Sequence, residues 1–173
     1  MWTTITTPVG ELRLVALDGA LAGVDFLDLP GPAERESASH ERFLARSVAP
    51  AGEQDVGDPL LREAADQLAA YFAGRREEFD LPVAPAGTPF QQRVWELLRG
   101  IKYGTTATYG ELAAELGMTG HGARAVGMAN GRNPVPIVVP CHRVVGSGGK
   151  LTGYGGGMAR KQWLLAHERS ALF

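Results

Sequence analysis

Cysteine is nearly absent: Cys141 is the only one in 173 residues. That excludes an intramolecular disulfide and any four-cysteine zinc centre. Long apolar runs are missing too, and none approaches the ~18 residues of a membrane-spanning helix. The first residues lack a basic segment followed by an apolar one, so no secretory leader is expected. A lone cysteine without an export signal fits a reducing, cytoplasmic setting. The four histidines are scattered, and with one cysteine they form no metal-ligand pattern. No metal and no cofactor are expected.

Net charge is also small, at −2, but it is unevenly spread. Residues 1–85 hold 7 Lys+Arg against 15 Asp+Glu, whereas residues 86–173 hold 10 against 4. The halves therefore carry −8 and +6. This division argues for two units, the second suited to a polyanion. At 45% hydrophobic and 21% charged, the chain has the composition of a globular protein with a real core.

Residues 1–28 read as about three antiparallel strands, with turns at Pro8-Val9-Gly10 and Asp18-Gly19. Residues 29–57 have no steady period and read as loop with at most a short helix. Asp58-Pro59 is an N-cap followed by proline at the first helical position. Leu61, Ala64, Ala65, Leu68, Tyr71 and Phe72 continue the helix, and Gly74 ends it. Residues 77–87, with Pro82, Pro85 and Gly87, read as a linker.

The second half opens on a capping box, Thr88-Pro89-Phe90-Gln91. Its helix carries Phe90, Val94, Leu97, Leu98 and Ile101 as the apolar stripe, with Trp95 read as packing. A second box, Thr108-Tyr109-Gly110-Glu111, starts a short helix to Gly117. Another helix spans about Gly122 to Asn130 and stops at Gly131. The pair has the pattern of a helix-turn-helix. Its second helix is bald: Gly122, Ala123, Ala125, Gly127 and Ala129 carry almost no bulk, and Arg124 is the one large polar group. Recognition helices that read base edges need long polar side chains. A bald helix instead allows close approach, either to a protein core or to a narrow groove.

After the apolar run Val135–Val139 comes Pro140-Cys141-His142-Arg143-Val144. Prolines at 134, 136 and 140 disfavour helix, so the segment reads as a rigid extended rail presenting one thiol. A buried, inert cysteine is one reading. A reactive thiol is the other, because imidazole and basic neighbours lower a thiol pKa. In an extended segment adjacent side chains diverge, so Cys141 and His142 would communicate through a bridging water rather than directly. Seven glycines between Gly146 and Gly157 surround Tyr154 and permit close approach to a ligand, without the spacing of a phosphate loop. A last helix runs from about Met158 to Arg169.

The expected fold class is therefore α+β. A small N-terminal antiparallel sheet with a covering helix occupies residues 1–80 as a supporting domain. A mainly helical C-terminal domain over residues 86–173 carries the helix-turn-helix and the Cys141 segment.

The motif Pro140-Cys141-His142-Arg143-Val144 resembles the active-site signature of the O6-alkylguanine-DNA alkyltransferases (methylated-DNA–protein-cysteine methyltransferases). The resemblance extends to Phe90-Gln91-x-x-Val94-Trp95, Tyr103-Gly104, Thr108-Tyr109, Arg124-Ala125-Val126-Gly127, Asn133-Pro134 and Trp163-Leu164-Leu165-x-x-Glu168. It is close over residues 88–168. It implies single-turnover transfer of an alkyl group from O6-alkylguanine in duplex DNA to Cys141, with O4-alkylthymine as a further candidate substrate. The base would first be flipped out of the stack.

The resemblance also implies roles. Cys141 is the nucleophile, His142 the base acting through water, Glu168 its orienter, and Asn133 the tie between the turn and the helix-turn-helix. Arg124 is the finger filling the extruded base's place, and Ala123, Ala125 and Gly127 let the helix lie deep in the minor groove. Tyr109 promotes flipping and hydrogen-bonds the base. The pocket comprises the backbone carbonyls of Cys141 and Val144, with Tyr154 and Gly155 opposite and Pro136 packing on the base or its alkyl group. No cofactor is implied. A monomer is expected, with room for several copies along one duplex.

Two departures stand out. Lys102 occupies a position where the family often has proline, and one cysteine excludes the N-terminal zinc or cysteine-rich sensor of some members. Relatives that bind alkylated bases without repairing them carry tryptophan in place of the cysteine, and Cys141 argues against that reading. A Cys-His hydrolase would need a base facing the thiol and an oxyanion hole, and the sequence displays neither.

Overall fold

The computed structural model describes residues 1–27 and 52–170. Most of the segment read as loop over 29–57 lies outside the described residues. The chain divides into two compact units: residues 1–86 with 134–136, and residues 87–133 with 137–173.

In the first unit, β1 (Trp2–Thr7), β2 (Gly10–Leu17) and β3 (Ala20–Phe26) form an antiparallel sheet in that order. Asp18 and Gly19 both have positive φ (49° and 77°), and Leu17 pairs with Ala20. That is a two-residue turn whose twist matches the strands. α1 (Pro59–Phe72) is capped by Asp58, which accepts from the Leu61 N–H at 2.9 Å, and it buries Leu61, Ala64, Leu68 and Tyr71. It packs on all three strands, as its 3.6-residue stripe requires.

Two stretches read as irregular join this sheet instead. Val83 bridges Leu21 in parallel, with the Leu21 N–H donating to the Pro82 carbonyl at 2.8 Å and the Ala84 N–H to the Leu21 carbonyl at 3.0 Å. The proline-rich linker is thus an edge pairing, where a missing N–H costs nothing on the open side. Gln54 bridges Trp2 likewise. Residues 134–136 belong here because the Val24 N–H donates to the Pro134 carbonyl at 2.9 Å.

In the second unit, α2 (Pro89–Arg99) and α3 (Tyr109–Glu115) both begin with complete capping boxes at Thr88 and Thr108. α4 (Gly122–Asn130) packs on both of them. Two-residue strands β4 (Ala107–Thr108) and β5 (Val144–Val145) pair in parallel. They are too short to leave a period in the sequence. A 3₁₀ turn, Cys141–Arg143, packs against α2 and against α5 (Met158–Ser170). Trp95 is buried and donates from Nε1 to the Ala129 carbonyl at 2.9 Å, so it ties α2 to α4. Among the described residues no helix is long and apolar enough to cross a membrane.

Candidate active site

Cys141 sits on a turn, not on an extended rail. The Cys141 N–H donates to the Val139 carbonyl at 2.8 Å and the Arg143 N–H to the Pro140 carbonyl at 3.0 Å. Pro140 fails as a strand residue because it has no N–H, but its carbonyl starts the 3₁₀ turn. Just before it, Ile137 has φ +74°, a costly conformation for a β-branched residue. Asn133 holds the approach by donating from Nδ2 to the Val139 carbonyl at 2.8 Å.

Three residues per turn separates successive side chains by about 120°, so Cys141 and His142 still diverge. His142 is fully buried. Its Nε2 lies 2.7 Å from Glu168 Oε1, while its buried Nδ1 has no hydrogen-bond partner among the described residues. Burial pushes the His142 pKa down, against the opposing pull of Glu168. A neutral imidazole donating its Nε2 proton to Glu168 leaves Nδ1 as a base.

Glu168 is held by more than His142. Arg143 grips it through Nε to Oε2 and NH2 to Oε1, both at 3.0 Å, and the Gly104 N–H donates to Oε2 at 3.3 Å. These partners, His142 first and then Arg143, outweigh burial and bring the Glu168 pKa down to about 2. Arg143 also donates from NH1 to the Ile101 carbonyl at 2.6 Å and lies over the Tyr103 ring. A buried charge needs such pairing.

Cys141 is buried, with 5% of the residue exposed. Burial raises its pKa, partly offset by hydrogen bonds with Asn133 and Tyr154 and by the charge of Lys161. At rest it is a thiol, and reaction needs a base. Sequence reading passed over Lys161, Asn130 and Thr152. Lys161 is fully buried and donates from Nζ to the Val144 carbonyl at 2.6 Å and to the Thr152 carbonyl at 3.1 Å. A signal existed: Lys161, Leu164, Leu165 and Glu168 are buried at i, i+3, i+4 and i+7, the inner stripe of α5.

Tyr109, the first residue of α3, accepts at its hydroxyl from Thr152 Oγ1 at 3.2 Å, and burial raises its pKa. A Cβ on Gly127 would lie 3.6 Å from its ring. Thus α4 approaches Tyr109 through a glycine. Arg124 is exposed on α4, with Ala123 and Ala125 half-buried beside it. The structure links none of these three to Cys141. Val144 is buried and Gly155 half-buried, next to Tyr154. Pro136 is buried and falls in the segment paired with β3.

The comparisons with known proteins agree across both units. A family model described as 6-O-methylguanine DNA methyltransferase, DNA binding domain, matches residues 89–170. One described as 6-O-methylguanine DNA methyltransferase, ribonuclease-like domain, matches residues 1–85. A methylated-DNA–protein-cysteine methyltransferase of Mycolicibacterium paratuberculosis is 45% identical over 169 residues, covering 97% of this chain and 92% of its own. The enzyme so named from Methanosarcina barkeri is 43% identical over 168 residues, covering 97% and 96%. Among solved structures, Mycobacterium tuberculosis OGT in complex with DNA superposes with a TM-score of 0.82 at 44% identity, covering 98% of this chain and 93% of that one. The chain belongs to the 6-O-methylguanine DNA methyltransferase family.

Proposed function

We propose that this protein repairs alkylated DNA directly, moving the alkyl group from O6 of guanine to Cys141 in a single turnover. The observation that carries the reading is the buried series at the 3₁₀ turn: a thiol, a histidine with an open Nδ1, and a carboxylate 2.7 Å from its other nitrogen. In the reaction Cys141 gives its proton through a water to His142 Nδ1. The thiolate attacks the alkyl carbon, an S–C bond forms, and the C–O6 bond breaks with its electrons on the base. The guanine then takes up a proton. The product is a thioether, which none of the surrounding residues can cleave, so the protein is consumed.

In this reading residues 86–173 form the DNA-binding and alkyltransferase domain and residues 1–80 support it. α4 enters the minor groove, with Arg124 filling the place of the flipped base and Ala123, Ala125 and Gly127 allowing the approach. Tyr109, Pro136, Val144, Tyr154 and Gly155 surround the base, and Asn133 positions the turn. Flipping costs a few kcal/mol, less for a badly paired base. The protein acts as a monomer in the cytoplasm.

The test is intact-protein and peptide mass spectrometry after mixing with duplex DNA containing one O6-methylguanine. One methyl gained on Cys141, stopping at stoichiometry, is expected. Tight lesion binding with Cys141 unmodified would make the protein a damage-recognition module and overturn the repair reading.

A further inference from the structure

Thr152 lies in the glycine-rich stretch after the thiol's turn and holds two groups of the site at once. Its Oγ1 donates to the Tyr109 hydroxyl at 3.2 Å, and its backbone carbonyl accepts from Lys161 Nζ at 3.1 Å. The same ammonium donates to the Val144 carbonyl at 2.6 Å, on the strand that follows the thiol's turn. The other branch of Thr152 is anchored as well. A Cβ on Gly146 would lie 3.1 Å from Thr152 Cγ2, so the methyl lies over the Gly146 backbone. The Gly146 N–H in turn closes the loop onto the Lys150 carbonyl at 2.7 Å. A β-branched side chain is stiff at χ1, so a seated methyl fixes where Oγ1 points.

Tyr109 has one proton to donate and an oxygen that accepts. Burial raises its pKa, so the phenol keeps that proton. The hydrogen bond from Thr152 pulls the other way, because it favours charge on the oxygen, and it makes the remaining O–H the stronger donor. Charge on Cys141 is felt at Tyr109 and raises its pKa further, so the two groups lie within electrostatic reach of each other. Lys161, Thr152 and Tyr109 thus form a chain from the helix that carries Glu168 to the first residue of α3.

We propose that Thr152 is a positioning residue for alkyl transfer: its hydroxyl holds the Tyr109 oxygen so that the phenol O–H is aimed at the departing base. This rests on the alkyl-transfer reading above, in which Tyr109 hydrogen-bonds the base, and names what sets that contact. When the C–O6 bond breaks, its electron pair stays on the base, and a donor already in place favours the charge as it develops. Tyr109 keeps its proton throughout, and only its hydrogen bond strengthens. In the free protein the Thr152–Tyr109 bond is exposed to solvent and does little for the fold. A base packed on Tyr109 excludes the water that competes for that oxygen, and the bond then gains in strength.

The experiment measures the rate of methyl transfer to Cys141 at saturating duplex carrying O6-methylguanine, so that DNA binding is not limiting. Thr152→Val keeps the shape and loses the hydroxyl, and transfer is expected to slow about fivefold, the size of one neutral hydrogen bond. Thr152→Ser keeps the hydroxyl and should stay within about twofold of wild type. Tyr109→Phe removes the accepting oxygen. In that background Thr152→Val should cost less than about twofold more, because residues acting through one contact are not additive. Thr152→Ala stands in, with the same expectation, should valine pack poorly. A wild-type rate in Thr152→Val, or Thr152→Ser as slow as Thr152→Val, would overturn the proposal. The same loss persisting in the Tyr109→Phe background would also overturn it, routing Thr152 through Lys161 instead. Tyr109→Phe as fast as wild type would take the phenol out of the reaction, and the proposal with it. No methyl on wild-type Cys141 would instead overturn the alkyl-transfer reading itself.

Discussion

Lys161 Nζ donates to the carbonyl oxygen of Val144 at 2.6 Å, and the lysine is completely buried. With a second bond to the Thr152 carbonyl, it ties α5 to the strand after the thiol and to the glycine-rich segment. Its charge also favours the Cys141 thiolate against the effect of burial. Lys161→Met keeps the length but removes the charge and both donors. The Cys141 pKa should rise, slowing transfer at neutral pH by about tenfold per pKa unit. Each carbonyl left without its donor costs about 1–3 kcal/mol of stability. The pH dependence of iodoacetamide labelling of Cys141 reads the first effect, and an unchanged midpoint would remove Lys161 from the thiol's electrostatics.

Acid should destabilise the second unit in two overlapping steps. The native His142 pKa lies below its ordinary value, so the unfolded chain binds the proton first. That contribution to stability is complete above about pH 6.5 and is lost as pH falls below it. The Glu168 carboxyl is held down to about 2 from an ordinary 4.5. Its contribution, about 3 kcal/mol, is present above pH 4.5 and disappears as pH falls towards 2. Glu168→Gln should flatten that lower limb and cost about 3–5 kcal/mol at neutral pH, because it leaves Arg143 buried without its counter-charge. Thermal melts between pH 2 and 8 decide, and an unchanged acid limb in Glu168→Gln would contradict the assignment.

Gly87 is expected to tolerate no side chain. A Cβ there would sit 2.4 Å from Trp95 Cη2 and 2.9 Å from Gln91 Oε1. Trp95 cannot retreat, since it is 1% exposed and its indole N–H is bound to Ala129. Gly87→Ala should cost about 1–3 kcal/mol by overpacking. Chemical denaturation measures this, and a variant as stable as the parent would show that the start of α2 shifts freely.

What the sequence made legible follows from the length of each signal. α1 and α2 were readable because Asp58 and Thr88 cap amphipathic stripes three to four turns long. The Asp18-Gly19 hairpin was readable because both residues adopt positive φ. Cys141, His142 and Glu168 could be placed in one site only through family resemblance, since 26 residues separate His142 from Glu168. The 3₁₀ turn was misread as extended because proline disfavours strand and helix equally and leaves turns open. Lys161 was overlooked because a lysine within a helix reads as solvated, and only packing against Val144 and Thr152 makes it a buried cation. The Val83 and Gln54 bridges arise from long-range pairing that no local pattern encodes.

Arg124 offers the cleanest separation of DNA handling from chemistry. It is exposed on α4, so Arg124→Ala should change stability by no more than about 0.5 kcal/mol. If it reaches into the duplex, its loss weakens DNA binding and lowers the salt slope by about 0.9 per phosphate contact released. Transfer from O6-methylguanine in duplex should slow because the flipped state loses its support. Transfer from the free base, which needs no flipping, should stay near the parent rate. Single-turnover rates on both substrates make the comparison, and equal losses would place Arg124 outside the flipping step and leave it a surface arginine of α4.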